Sequence, residues 1–211
     1  MRQDKTLFES KKIYRKVGAL KMPLLLTADW NIGSRWFSER AFDELVADVK
    51  SKGVKDILLC GKILHGRDAR NLELAAWYLK QIPRKTKIAM VSGEALERLA
   101  EKVPNATYYG EVATLKLGDR FVLMAVYGKY AQSGTIQKIY DRLLVKPNIL
   151  VTGGFHGMLC EGVPHGRLLV KMGRDTSLAT PHGMIPQLGW HILHEHDEEH
   201  SDIEDRCSQA Y

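Results

Sequence analysis

The sequence predicts an α/β protein in which two central β-sheets are flanked by helices. Short, wholly apolar runs alternate with segments whose apolar residues recur every three or four positions. The runs are typical of strands buried on both faces, and the repeating segments are typical of amphipathic helices. Strands predominate in the second half of the chain, and this order favours a sandwich of sheets covered by helices.

Each of four apolar runs is followed by a loop that contains glycine. The runs begin at Leu24, Asp56, Lys87 and Asn148, and their loops contain, in that order, Gly33, Gly61, Gly93 and Gly153. Because open α/β sheets place their ligands beyond the carboxyl ends of strands, we expect these loops to converge on one edge. Asp29 follows the first run directly and is the first candidate for chemistry, although a cap of a loop or helix explains it equally well.

Further elements follow from local signals. Ser38 is predicted to cap a helix that ends before Gly53, a second helix begins at Asn71, and a third covers residues 94–103. Residues 107–126 are expected to form two strands joined by a turn at Gly118. A helix over residues 135–145 and strands over residues 167–172 and 188–193 complete the prediction.

Length and composition suggest one folded domain between two charged ends. The 211 residues suffice for a single domain with a sizeable core. Residues 1–22 hold seven basic residues against two acidic ones and are predicted to form a basic N-terminal arm. We expect residues 23–194 to be the folded domain and residues 195–211 to be an acidic tail that contains histidine.

The net charge of +6 conceals a strong asymmetry. Residues 191–211 carry seven acidic side chains against Arg206 alone, a net −6, which leaves +12 on residues 1–190. We expect the tail to be mobile or to fold back on the basic body at low salt. A basic body suits phosphate backbones, although the sequence has no basic run interleaved with aromatic residues.

The sequence indicates a cytoplasmic protein. No apolar run approaches the roughly 18 residues of a membrane helix, so no membrane partner is expected. The N-terminus is too polar for a signal peptide. The cysteines are scattered and form no disulfide or metal pattern; they are Cys60, Cys160 and Cys207.

The order of strands and loops from about Pro23 to about Trp190 resembles the calcineurin-like metallophosphoesterases. That family has Asp-X-His after its first strand, Gly-Asp after its second and Gly-Asn-His followed by an acidic residue after its third. A His-Gly turn and a Gly-His-X-His turn come later. The resemblance implies the calcineurin-like phosphoesterase sandwich and, at its edge, a centre of two metal ions that hydrolyses phosphoesters.

The sequence departs from this pattern in the first three motifs. Asp29 is retained, but Asn31 stands where the first motif has His, and Lys62 stands where the second has its bridging Asp. Glu94 and Ala95 replace the Asn and the catalytic His of the third motif. The resemblance therefore leaves one unchanged ligand among these loops.

The last two motifs are altered as well. Tyr127, followed by Gly128, matches the His-Gly turn, and Lys129 stands where a second His often follows. Gly154 replaces the first His of the final turn, and His156 keeps the second. Asp29 and His156 are therefore the vestigial ligands, and no metal or other cofactor is expected.

Lys62 is the decisive change. An ammonium group has no lone pair for a metal and repels divalent cations. We interpret Asp29, Lys62 and Glu94 as a former metal site that has become a cluster of salt bridges. The alternative is a reorganised active site, metal-free or with one divalent ion such as Mn²⁺, that uses Asp29, Glu94, His65 and His156.

Two functions follow. The first is a catalytically degenerate phosphoesterase-fold protein that acts as a binding or scaffold protein, at nucleic acid or in a protein complex. The retromer scaffold subunit and the small subunits of some replicative DNA polymerases are similar degenerate cases in the family that this chain resembles. The second is a metal-dependent phosphodiesterase or nuclease with an altered site. The residues favour the binding or scaffold function, so we expect that the chain is not an enzyme.

Overall fold

The computed structural model describes residues 18–35, 37–92, 94–118, 121–127, 149–153, 168–171, 178–180, 183–185, 189–194 and 203–207. These ranges contain helices and two large β-sheets. The predicted α/β class, with two sheets flanked by helices, is confirmed.

The described elements are short and follow one another closely. The helices are α1 (Glu39–Ser51), α2 (Ala69–Leu79) and α3 (Glu94–Lys102). The strands are β1 (Gly18–Leu20), β2 (Leu24–Thr27), β3 (Asp56–Cys60), β4 (Lys87–Val91), β5 (Ala106–Tyr108), β6 (Val112–Leu117), β7 (Phe121–Tyr127), β8 (Ile149–Gly153), β9 (Leu168–Lys171), β10 (Leu178–Thr180), β11 (Gly183–Ile185), β12 (Gly189–Leu193) and β13 (Ile203–Cys207).

The strands form a six-stranded sheet, a five-stranded sheet and a small hairpin. The six-stranded sheet has the order β13-β12-β2-β3-β4-β5, and its strands β2 to β5 are parallel. The five-stranded sheet has the order β1-β6-β7-β8-β9, and β6 and β7 are the predicted antiparallel pair. The predicted first strand began too early, because Ala106–Tyr108 forms β5 and pairs with β4 of the other sheet. Strands β10 and β11 pair only with each other within the described ranges.

The apolar strands are buried on both faces because they lie between two cores. Side chains alternate along a strand, so neighbouring residues point to opposite faces. Leu25 and Ile57 belong to the core that lies under the helices. Leu26 and Leu58 belong to the second core, which also contains Ala113, Leu115, Ala125 and Val151 of the five-stranded sheet. The two sheets therefore pack face to face, and the first carries helices on its other face.

The helices begin where side chains cap them. Ser38 accepts a hydrogen bond from the Ala41 N–H at 3.2 Å, which confirms the predicted cap of α1. The second helix begins at Ala69, not at Asn71, because Asp68 caps it by accepting from the Asn71 N–H at 2.8 Å. The predicted helix over residues 135–145 lies outside the described residues. Among the helices that the structure does describe, none is long and apolar enough to cross a lipid bilayer.

Both charged ends contribute a strand that the sequence analysis did not anticipate. Gly18–Leu20, in the predicted basic arm, pairs with β6. Ile203–Cys207, in the predicted acidic tail, pairs antiparallel with β12 at the edge of the six-stranded sheet. Of the two alternatives for the tail, these five residues follow the one in which the tail lies against the folded domain, although the contact is a strand pairing and not a purely electrostatic one. The division into an arm, a domain and a tail stays a prediction.

Candidate functional site

The first three candidate loops lie at one edge of the six-stranded sheet. Strands β2, β3 and β4 are parallel neighbours, so their carboxyl ends point the same way. Asp29 lies two residues beyond β2, Lys62 lies two residues beyond β3, and α3 begins at Glu94 beyond β4. The structure therefore brings the loops of Asp29, Lys62 and Glu94 together, at the place where parallel sheets bind ligands.

The first and second loops are joined by their main chains. The Asn31 N–H donates to the Lys62 oxygen at 3.2 Å, and the Ile32 N–H donates to the Ile63 oxygen at 2.8 Å. The His65 N–H donates back to the Ile32 oxygen at 2.9 Å, and Ile32 and Leu64 form an isolated parallel bridge. These bonds extend the pairing of β2 and β3 into the loops, so both loops have a fixed shape.

The side chain of Asn71 in α2 helps to hold the first and second loops in place. Its side-chain amide donates to the His65 oxygen and to Asp68 Oδ2. Gly33, with φ 92°, lies against the Asn71 side chain, and a Cβ at this position would clash with it. Only glycine fits this left-handed, crowded position, which explains why the first loop carries it.

The first loop holds two left-handed residues. Asp29 has φ 57° and Asn31 has φ 52°, a conformation that Asp and Asn tolerate better than other side-chain-bearing residues. Between them, the buried indole of Trp30 donates to Thr27 Oγ1 at 2.8 Å and anchors the loop to its strand. Strained backbone of this kind clusters at functional sites.

The Asn31 side chain is turned inward. It is 3% exposed, and its Nδ2 donates to the Asp29 oxygen at 2.8 Å. Its Oδ1 is buried and, within the described part of the chain, has no hydrogen-bond partner. A buried acceptor without a donor lowers the stability of the fold by about 1–3 kcal/mol, a cost that an ordinary exposed loop residue does not have.

Lys62 and His65 expose their side chains and use their main chains to hold the loops together. Lys62 supplies a carbonyl to Asn31, and His65 supplies both an N–H and a carbonyl. The predicted ion pair between the Lys62 ammonium and the Asp29 carboxylate stays a prediction. The described contacts of His65 are structural, which is the simpler of its two interpretations.

The third loop contains residues that the sequence analysis missed. Ser92 is 5% exposed and has φ 73°, and its N–H donates to the Gly110 oxygen at 2.7 Å. Its hydroxyl donates to Glu111 Oε2 at 3.0 Å, and the Tyr108 hydroxyl donates to Glu111 Oε1 at 3.2 Å. Glu111 thus holds Ser92 in place directly after β4. The only signal in the sequence was the position of Ser92 after an apolar run, because the partner is 19 residues away.

The remaining candidates are described only in part. Ala95, where the family that the chain resembles has its catalytic His, is half-buried and packs on the core under the helices. Tyr127 is the last residue of β7 and lies opposite Gly153 of β8. The side chains of Glu94 and Tyr127, and the whole of His156, lie outside what the structure describes. Their convergence on Asp29 stays a prediction.

The described residues do not fit a centre of two metal ions. Such a centre needs a bridging carboxylate and several oxygen or imidazole ligands. In the described ranges, no three His, Cys, Asp or Glu side chains are grouped closely enough to hold a metal ion. Asp29 and the buried Asn31 Oδ1 offer oxygens in one loop, whereas the neighbouring loop offers the Lys62 ammonium, which cannot bind a cation.

The comparisons with known proteins bear on the fold. No protein-family model and no curated protein matches this chain. The solution structure of the Thermotoga maritima protein TM1076 is similar to it, with 14% sequence identity, a TM-score of 0.51 and coverage of 88% of this chain and 98% of TM1076. The crystal structure of Chaetomium thermophilum Vps29 is similar with 13% identity, a TM-score of 0.45 and coverage of 88% and 94%. At this identity, the likeness to TM1076 concerns the fold alone.

Proposed function

We propose that this chain is a non-catalytic protein of the phosphoesterase fold that acts as a binding or scaffold protein in a protein complex. The observation that carries the proposal is the contact between Asn31 and Lys62, whose main chains are hydrogen bonded at 3.2 Å. By the resemblance, these positions belong to a metal ligand and a bridging carboxylate. An amide and a cation occupy them here, so the loops retain their arrangement without the ligands.

Ala95 supports the same proposal. Its methyl group packs on the core under the helices, at the position of the catalytic His in the family. A methyl group neither donates a proton to a leaving group nor binds phosphate. Since general acid catalysis typically contributes about 10²–10⁴-fold in rate, its loss would leave any remaining hydrolysis slow.

The alternative function, a phosphodiesterase or nuclease with a reorganised site, has one observation in its favour. Asp29 and Asn31 both have a left-handed backbone, and Asn31 Oδ1 is a buried acceptor for which the described residues provide no donor. A divalent ion such as Mn²⁺ would supply a Lewis acid and a bound hydroxide to this alternative. Asp29 and Asn31 are the described residues that offer it oxygen ligands.

Metal analysis and turnover separate the two functions. The purified chain is analysed for bound metal and then assayed with an aryl phosphodiester and added Mn²⁺. We expect no stoichiometric metal, and hydrolysis no faster than with the matched variant Asp29→Asn. Two tightly bound manganese, iron or zinc ions per chain, together with turnover that Asp29→Asn abolishes, would overturn the proposal.

The partner class is a separate question, because the +12 body also suits nucleic acid. We propose a protein partner in preference to nucleic acid, since the described surface exposes the large apolar side chains of Leu74 and Trp77. Isolation of the complex from its native cell at several salt concentrations distinguishes the two. A nucleic-acid partner dissociates steeply as salt rises, whereas a protein partner held by apolar contacts stays bound.

A further inference from the structure

Helix α2 presents large apolar side chains to solvent. Trp77 is 59% exposed and Leu74 is 36% exposed, and no other large apolar side chain among the described residues is as exposed. The two lie three positions apart and therefore on the same face of the helix. The opposite face of α2 is buried in the core, with Leu72, Ala75, Ala76 and Leu79. A tryptophan that exposes more than half of its surface beside an exposed leucine is a candidate interaction surface, since aromatic residues are enriched at interfaces.

The Trp77 ring rests on a rigid support. It meets the Tyr78 ring edge to face, with centroids 4.8 Å apart. Tyr78 in turn packs against Phe42 and Phe37, and its hydroxyl donates to Glu39 at 2.6 Å. A supported tryptophan loses little conformational freedom when a partner covers it, which is a property of binding hot spots.

The charges around Trp77 are arranged on two sides. Arg70 and Lys80 are exposed and lie about one turn before Leu74 and one turn after Trp77. Lys102 of α3 pairs with Glu73 at 2.6 Å, and its hydrogen bond, followed by the charges of Lys102 and Lys80, holds the pKa of Glu73 below its ordinary value. Glu73 is thus already matched by a cation. The face is cationic toward α3.

Acidic groups also border the α1 side, whereas Glu73 on the α3 side is paired with Lys102. Burial is the main cause that raises the pKa of the Tyr78 hydroxyl, and the hydrogen bond to Glu39 and the charges of Glu39 and Asp43 on α1 add to it. A ligand that covers Leu74 and Trp77 therefore meets cations on one side and carboxylates on the other. Carboxylates of the ligand are favoured on the α3 side.

We propose that the outer face of α2, formed by Arg70, Leu74, Trp77 and Lys80 with Lys102 beside it, binds an amphipathic segment of a partner protein. Apolar side chains of the segment cover Leu74 and Trp77, and its acidic side chains meet Arg70 and Lys80, since Lys102 is already paired with Glu73. This proposal rests on the proposed binding function and names its surface. Leu74 favours a protein segment over single-stranded nucleic acid, since bases stack on flat aromatic faces and gain little from leucine.

A peptide library tests the proposal directly. The displayed peptides are amphipathic helices whose apolar positions are fixed and whose flanking positions vary between Glu and Lys. Selection uses the full chain, and counter-selection uses Trp77→Ala after circular dichroism has verified its fold. We expect the flanking positions to be enriched in Glu. A selected peptide should bind the Trp77→Ala variant about tenfold or more weakly, the loss that a hot-spot residue typically produces.

Further measurements locate the peptide. The indole N–H signal of Trp77 should shift on binding, whereas those of the buried Trp30 and Trp190 should not. Lys80→Glu should weaken binding, and Lys55→Glu, a matched change of an exposed lysine before β3, should not. Trp77→Phe should retain part of the affinity, because an aromatic ring remains.

Two results of the selection would overturn the proposal: equal enrichment of Glu and Lys at the flanking positions, or selected peptides that bind Trp77→Ala with unchanged affinity. A Trp77 indole signal that shifts with single-stranded DNA and not with the peptides would also overturn it. So would a dimer of this chain, seen in sedimentation, that Trp77→Ala abolishes. None of these measurements depends on turnover. If the peptides do not bind and the chain does not hydrolyse phosphodiesters, the proposed non-catalytic function stands and only the binding surface is wrong. If the chain hydrolyses phosphodiesters and the peptides still bind, only the non-catalytic function is wrong.

Discussion

The main-chain N–H of Asn31 donates to the main-chain oxygen of Lys62 at 3.2 Å. This bond joins the loops beyond two parallel strands, and it uses main-chain atoms only. The two loops are therefore held together by main-chain atoms that every residue type other than proline supplies.

Lys62→Asp tests whether these loops still support a metal ion. The change removes a cation and adds an oxygen ligand beside Asp29 and Asn31. We expect the affinity for Mn²⁺ to rise by about tenfold or more, the scale of a supporting group at a metal site. Calorimetric titration measures it. No hydrolysis should return, because Ala95 and Gly154 supply no imidazole.

Lys62→Met is the matched control, since it removes the charge without adding a ligand. It should bind Mn²⁺ more weakly than Lys62→Asp. Equal affinities of the two variants would contradict the assignment of position 62 to a metal-bridging place.

Asn31 tests the strain in the first loop. Asn31→Ala and Asn31→Gly both lose the bond from Nδ2 to the Asp29 oxygen, but only glycine adopts φ 52° without steric cost. We expect the free energy of unfolding of Asn31→Ala to lie about 1 kcal/mol below that of Asn31→Gly. Urea denaturation measures both. An alanine variant as stable as the glycine variant would show that the loop relaxes when Asn31 is replaced.

Asp56 makes stability depend on pH at the opposite end of β3. It is 2% exposed, and burial raises its pKa above the ordinary 3.8, although the Lys21 N–H, at 2.7 Å, and the charges of Lys87 and Lys21 oppose this. The folded carboxyl holds its proton to higher pH than the unfolded one. Its contribution is therefore complete below pH 3.8 and is lost as pH rises through the folded pKa.

Asp56→Asn stays neutral and should remove this loss. In urea denaturation over a pH series, the free energy of unfolding of the variant should rise relative to that of the unmodified protein as pH rises above 3.8. The exposed Glu101→Gln serves as the control. If the difference between Asp56→Asn and the unmodified protein did not change with pH, burial would not govern this carboxyl.

Tyr78 has the corresponding effect at alkaline pH. Burial, followed by the hydrogen bond to Glu39, raises its pKa from 10.0 to about 12. The stabilisation by the neutral phenol is complete below pH 10 and is lost as pH rises toward 12. Tyr78→Phe should cost about 1.5–3 kcal/mol at neutral pH, the usual value of a hydrogen bond to a charged group. The deficit should shrink above pH 10, and a constant deficit in denaturation experiments would refute the assignment.

Local patterns in the sequence predicted much of the fold. Leu24–Thr27 and Asp56–Cys60 are apolar without interruption, and the structure buries them between two cores. Ser38 caps α1 as expected, because a cap depends on residues only three positions apart. Asp29 and Lys62 could be placed at the strand ends for the same reason.

What the sequence alone determined was therefore the elements and the residues at their ends, since helix caps and side-chain periodicity depend on neighbours within a few positions. Tertiary structure decided which strands pair and which loops touch. β12 joins β2 from the far end of the chain, acidic Ile203–Cys207 becomes an edge strand, and Glu111 holds Ser92. These contacts join residues distant in sequence, and main-chain hydrogen bonds form between any residue types, so local patterns do not specify which strands pair.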